Sequence, residues 1–170
     1  MPRPPATTVH VVRQKASSPS SDPSVRRDAR SLALDEATQR LASSLGGDGQ
    51  AVLACDPSLE GVMAAIGVGY LAHADERCLR LAATGSVQPR LGEACVDMPG
   101  TAEEGVVDLA RRVYASFRTR CGATCTTRVM LASAVDDSRM PETLHRYVRL
   151  GFACGHTLFD LVADERTVAL

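Results

Sequence analysis

The run Ala51-Val52-Leu53-Ala54-Cys55, followed at once by Asp56-Pro57, constrains the fold of this chain more than any other segment. A short unbroken apolar run bounded by turn formers reads as a buried strand. Asp at an N-cap with Pro at the first helical position then predicts a helix start. Leu59, Val62, Met63, Ile66 and Tyr70 carry that helix on as an apolar stripe. Gly61, Gly67 and Gly69 interrupt it, each at a cost of up to about 1 kcal/mol relative to Ala. The alternative role for these glycines is to let another backbone come close. At 170 residues the chain can bury a core without disulfide or metal staples.

Other elements follow from local pattern. Ser31 to Leu45 reads as a helix with Leu34, Thr38, Leu41 and Leu45 on one face, stopped by Gly46-Gly47. Leu79-Arg80-Leu81 and Ala94-Cys95-Val96-Asp97-Met98 are candidate strands, with a loop through Thr84-Gly85-Ser86 and Gln88-Pro89 between them. Thr101-Ala102-Glu103-Glu104 has the form of a capping box and opens a helix with Val106, Ala110, Val113 and Phe117 on one side. A further helix is expected over 124–135, another from Pro141 to Gly155, and a last one over 158–168. Apolar content is ordinary at 45%, but Trp is absent and aromatics are few, so Val, Leu, Ala and Met must build the core. The expected fold is α+β: a predominantly helical single domain with a small β-sheet, preceded by a flexible tail. Residues 1–24 are that tail, 25–49 a helical extension, and 50–170 the domain. The tail is rich in Pro and Ser and carries a short Val9-His10-Val11-Val12 segment.

A formal net charge of −1 gives no global attraction to nucleic acid, so such binding requires a local patch. Nearly all the basic residues are Arg; Lys15 is the only Lys. Codon bias explains that, and so does phosphate recognition, which suits the planar guanidinium. No stretch reaches the roughly 20 apolar residues of a membrane span, and Met1-Pro2-Arg3-Pro4-Pro5 lacks the apolar core of a signal peptide. A cytoplasmic protein with six reduced cysteines is expected, without membrane association.

From Ala110 to Val135 the chain has five arginines (Arg111, Arg112, Arg118, Arg120 and Arg128) and no acid. In the following helix His145, Arg146 and Arg149 are expected to lie away from the Leu144, Val148 and Phe152 face. Two adjacent helices presenting Arg could make a phosphate-binding surface. The competing reading is a solvated helix face. The candidate nucleic-acid contacts are Arg111, Arg112, Arg118, Arg146 and Arg149, with Tyr147 and Phe152 mostly packing.

Cys121, Cys125, Cys154 and His156 have the number of ligands a zinc site needs, but only if the two segments meet. Free buried thiols are the simpler reading, so no metal or other cofactor is expected, and a metal- or thiol-dependent enzyme stays an alternative. Asp56 and Glu60 read as cap and helix-dipole residues, or as an acid/base pair at a strand end. His73 and His145 read as surface or satisfied histidines. The residues name no reaction.

Two segments carry a resemblance. Ala51–Asp56 with Ser58-Leu59-Glu60-Gly61, and Arg146-Tyr147-Val148-Arg149-Leu150-Gly151-Phe152 with Gly155, look like the opening and closing signatures of a bacterial family. It is a domain of unknown function associated with DNA metabolism and DNA repair. Its members occur beside radical-SAM partners and are sometimes fused to uracil-DNA-glycosylase-like domains. The likeness covers roughly residues 51–165. Leu59 stands where the family has an aromatic, and Pro57 where Gly is common. The pattern excludes residues up to Gly49, and the family continues beyond the position of Leu170, so a divergent or shortened copy is expected. The resemblance implies a DNA-repair accessory protein with DNA, a radical-SAM protein or a glycosylase-like protein as partner, and transfers no catalytic residue. A protein-interaction module without nucleic-acid binding is the alternative.

Overall fold

In the computed structural model, which describes residues 23–47 and 49–161, the apolar run is the central strand of a three-stranded parallel sheet. The elements are α1 (Pro23–Ser44), β1 (Gln50–Cys55), α2 (Leu59–Leu71), β2 (Leu79–Ala83), β3 (Glu93–Asp97), α3 (Glu104–Ser133), α4 (Met140–Cys154) and a 3-10 turn (Gly155–Asp160). The order across the sheet is β2-β1-β3. The α+β class, mostly helical around a small sheet, is as the sequence predicts. The tail expected at 1–24 lies outside the described residues up to 22; Pro23 already belongs to α1. The helix expected at 158–168 is a short 3-10 turn ending at Asp160, and 162–168 lie outside the described residues.

β1 has neighbours on both edges and on both faces, and Ala51 to Cys55 are almost wholly buried. Ala51, Leu53 and Cys55, with Leu79, Leu81 and Val96, join the helical core. On the other face Val52 stands in register between Arg80 and Cys95. The connection 84–92 has to cross one face of β1, because β2 and β3 run parallel on opposite sides of it, and the bond from Arg80 to the Gln88 carbonyl puts it on this one. It does so without a helix, which is short for a parallel crossover. Its turns use Gly85 (φ 85°) and Gly92 (φ 81°), backbone conformations that disfavour any side chain.

α2 is buried all round from Gly61 to Gly69, so it is a central helix, not an amphipathic one. At Gly67 an added Cβ would lie 2.8 Å from Leu109 and 3.0 Å from Val113, so the missing side chain lets α3 pack close. Two expected caps are displaced. The α2 N-cap is Ser58, whose hydroxyl accepts from the Gly61 amide (3.2 Å), while Asp56 instead accepts from the Ser58 amide (2.8 Å). α3 begins at Glu104 after Glu103, without a side-chain cap from Thr101. The two helices expected on either side of residue 122 are two arms of α3, broken at Gly122 (φ 84°, ψ 174°). Phe117 and Tyr147 lie at the centre of the core, their rings 6.1 Å apart.

Candidate nucleic-acid interface

β2 is an edge strand, and an edge strand presents unpaired amides. Its even residues bond to β1, so the Leu81 N–H points outward. The Glu142 carboxylate of α4 accepts it at 2.9 Å. This bond seats α4 beside the sheet edge and leaves an open groove of about 1960 Å³ between α4 and the β2 side. That exceeds the roughly 300–1,000 Å³ typical of small-molecule pockets.

One bank of the groove comes from α4. Arg139, Glu142, Arg146 and Arg149 recur at steps of three, four and three, which places them along one helix face. Leu144, Tyr147, Val148 and Gly151 face the core. Arg146 donates from Nε to Glu142 (2.8 Å) and remains half exposed. Arg149 donates to the Ala74 carbonyl, and its guanidinium carbon sits 4.4 Å from the centre of the Tyr70 ring. Arg139 is held by Asp137 at 3.0 Å.

The other bank is built from β2 and the loops that flank it. Arg80 makes a two-pronged pair with Glu93, 3.1 Å from Nε and 2.7 Å from Nη2, and also donates to the Gln88 carbonyl. Glu93 in turn accepts from the Arg90 amide at 2.9 Å. Arg77 and Arg90 line the same bank, and their side chains form no ion pair among the described residues. The groove lining thus holds six arginines (Arg77, Arg80, Arg90, Arg139, Arg146, Arg149) against four acids (Asp75, Glu76, Glu93, Glu142), a positive balance in a chain whose net charge is −1.

The two central acids are ionised. The Arg80 pair holds the Glu93 carboxyl below the ordinary carboxylate range, against the opposing effect of burial. For Glu142 burial is the largest influence and pushes upward, but His145, the Leu81 amide and Arg146 together outweigh it and bring the group down. His145 is buried (1% exposed), which corrects its expected place on the outer face of α4. Its Nδ1 stands 3.8 Å from Glu142 and has no hydrogen-bond partner. His73 is exposed and adopts φ 53° in the turn after α2.

The predicted site residues separate into two groups. Arg146 and Arg149 line the groove; Arg111, Arg112 and Arg118 do not. The latter three are exposed on α3, where Arg111 and Arg118 share a face and Arg112 lies about 100° around the helix. Arg111 is 3.4 Å from Asp108. Tyr147 is fully buried and Phe152 half-buried, as packing residues. Arg139 and Glu142 join Arg146 and Arg149 at the start of α4, Arg139 as its N-cap, just before the helix start expected at Pro141. Arg77, Arg80, Arg90 and Tyr70 reach the groove only through the chain topology, and no local signal marks them.

The cysteine set holds no metal geometry: among the described residues no three His, Cys, Asp or Glu side chains are placed to bind an ion. Burial pushes the Cys121 thiol up to about 11 and the Cys55 thiol up to about 12, so both are poor nucleophiles at neutral pH. Asp56 and Glu60 stand at the start of α2, with Asp56 held low by its Ser58 hydrogen bonds. No helix of the described residues is long and apolar enough to cross a membrane. No family model, no curated protein and no solved structure matches the chain.

Proposed function

We propose that this protein is a cytoplasmic, DNA-metabolism accessory protein that binds nucleic-acid phosphates in the groove between α4 and β2. The observation that carries this reading is the gathering of six arginines from three separate segments along one groove. Carboxylate or carbonyl partners hold four of the side chains, those of Arg80, Arg139, Arg146 and Arg149. Arg146 uses Nε on Glu142, so the rest of its five-donor fork is free for a phosphate oxygen. The six unpaired cysteines agree with a reducing compartment. On the family resemblance, the bound DNA would be presented to a radical-SAM or uracil-DNA-glycosylase-like partner.

The test is equilibrium binding of labelled oligonucleotides by the full chain across a salt series. Binding that weakens linearly in log[salt], and that drops when Arg146 and Arg149 are replaced by Ala, supports the groove. Loss of binding in Arg111→Ala/Arg112→Ala/Arg118→Ala, with groove variants unaffected, would move the contact surface to α3. Absence of binding at low salt rejects the reading. Pull-down with and without nuclease separates a DNA-bridged partner from a direct acidic one.

A further inference from the structure

Tyr70 differs from the other large aromatics of the core. Phe117 and Tyr147 are fully buried, whereas Tyr70, in the last turn of α2, is 37% exposed and lines the groove. The Arg149 guanidinium lies over its ring at 4.4 Å, and the Ala74 carbonyl anchors that guanidinium from the side. Phe152 meets Tyr70 edge-on, with ring centres 5.4 Å apart and planes at 83°. Phe152 also meets the buried Phe117 edge-on at 5.8 Å, so the ledge is tied into the core. Tyr70, Arg149 and Phe152 all face the same groove as the remaining arginines.

We infer that the groove takes a single strand, with an unstacked base laid on the Arg149–Tyr70 ledge and the flanking phosphates held by the arginines of the two banks. This rests on the phosphate-binding reading above. A planar guanidinium fixed on an aromatic ring is a stacking platform for a flat, polarisable group, and nucleobases are such groups. In a duplex both faces of each base are covered by its neighbours; only a single strand can turn one toward the protein. A charged groove with an aromatic platform inside it is the arrangement that tracks single strands with little sequence preference. Phosphate contact alone would not need the ledge, because counterion release is indifferent to bases.

The experiment compares affinities of the full chain for a 12-nucleotide single strand, its duplex, and an abasic strand with the same phosphates. DNA and RNA versions of the strand show which nucleic acid is preferred. The single strand is expected to bind roughly tenfold tighter than the abasic strand, the effect of one stacked base. Arg149→Lys keeps the charge but loses the plane, and Tyr70→Leu removes the ring; each should bring that ratio toward one, with circular dichroism confirming the folded state. Equal affinity for base-bearing and abasic strands, a preference for the duplex, or a ratio untouched in both variants overturns the inference while leaving phosphate binding intact. Failure of every oligonucleotide and of polyphosphate to bind overturns the phosphate reading along with it.

Discussion

Glu142 provides a test of how the sheet edge and the groove are joined. Its Oε2 accepts the Leu81 amide at 2.9 Å, and Leu81 is 1% exposed, so no solvent stands ready to replace the bond. In Glu142→Ala that amide loses its acceptor, at a cost of about 1–3 kcal/mol. The lost pair to half-exposed Arg146 adds only about 0.2–1 kcal/mol, because solvent screens it. The total is about 2 kcal/mol, dominated by the amide, and should lower Tm by about 4–8 °C for a domain of this size. Glu142→Gln keeps an oxygen for the Leu81 amide and loses only the charge, so it should cost less than about 1 kcal/mol. Urea unfolding followed by far-ultraviolet circular dichroism suits a chain without Trp, and the slope against denaturant should stay constant. Hydrogen exchange at the Leu81 amide gives a local readout. An Ala variant within 0.5 kcal/mol of wild type, or a Gln variant as unstable as the Ala variant, would refute the assignment of this bond as the tie between α4 and the sheet.

Glu142→Gln should also bind oligonucleotides more tightly than wild type at low salt and show a steeper salt dependence, since Arg146 loses its internal counter-ion; a weaker variant would contradict the role given to that arginine. Glu93 is held below the ordinary carboxylate range of about 4.3 chiefly by Arg80, so its contribution to stability is complete above that range and is lost as pH falls through the depressed value. Acid unfolding of Glu93→Gln should therefore show a shallower loss from pH 5 downward, with lower stability at pH 7. Gly151→Ala would place a Cβ 2.4 Å from the Phe117 ring and 3.0 Å from Cys121 Sγ, and overpacking should destabilise by about 1–3 kcal/mol in the same urea assay. Among the thiols, exposed Cys95 should react first with a thiol reagent, while buried Cys55, Cys121 and Cys125 react only on unfolding; mass spectrometry of partially labelled protein reads the order.

The fold was legible where the pattern was local. Ala51–Cys55 is apolar at every position because both faces are covered, and the α4 run alternates core and groove residues at helical spacing, so both elements lie close to their expected bounds. Caps were less legible. Asp56 and Ser58 both offer an oxygen, and which one closes the helix depends on where Pro57 directs the chain. The order β2-β1-β3 leaves no trace in any single segment, because it depends on a helix-free crossover held by the Arg80–Glu93 pair across the sheet. For the same reason, four of the groove's six arginines carry no local signal: Arg77, Arg80, Arg90 and Arg139 are scattered among acids and loops. The acid-free arginine stretch of α3 drew more attention, yet freedom from neighbouring acids along the chain does not bring guanidinium groups together in space.

The acids of the groove explain why its positive balance survives four carboxylates. Glu142 accepts one backbone amide, from Leu81, and one arginine, Arg146. Glu93 accepts one backbone amide, from Arg90, and one arginine, Arg80. In each case the carboxylate closes a piece of backbone of the β2 bank, the sheet edge at Leu81 or the β2–β3 connection at Arg90, and pairs with an arginine that lines the groove. An edge strand sealed in this way cannot accept a further strand at Leu81, because a side chain of the neighbouring α4 already occupies that amide. Local stability and ligand charge therefore depend on the same two residues. Substitutions that keep the acceptor oxygen but remove the charge should separate the two effects, whereas substitutions that remove both should not.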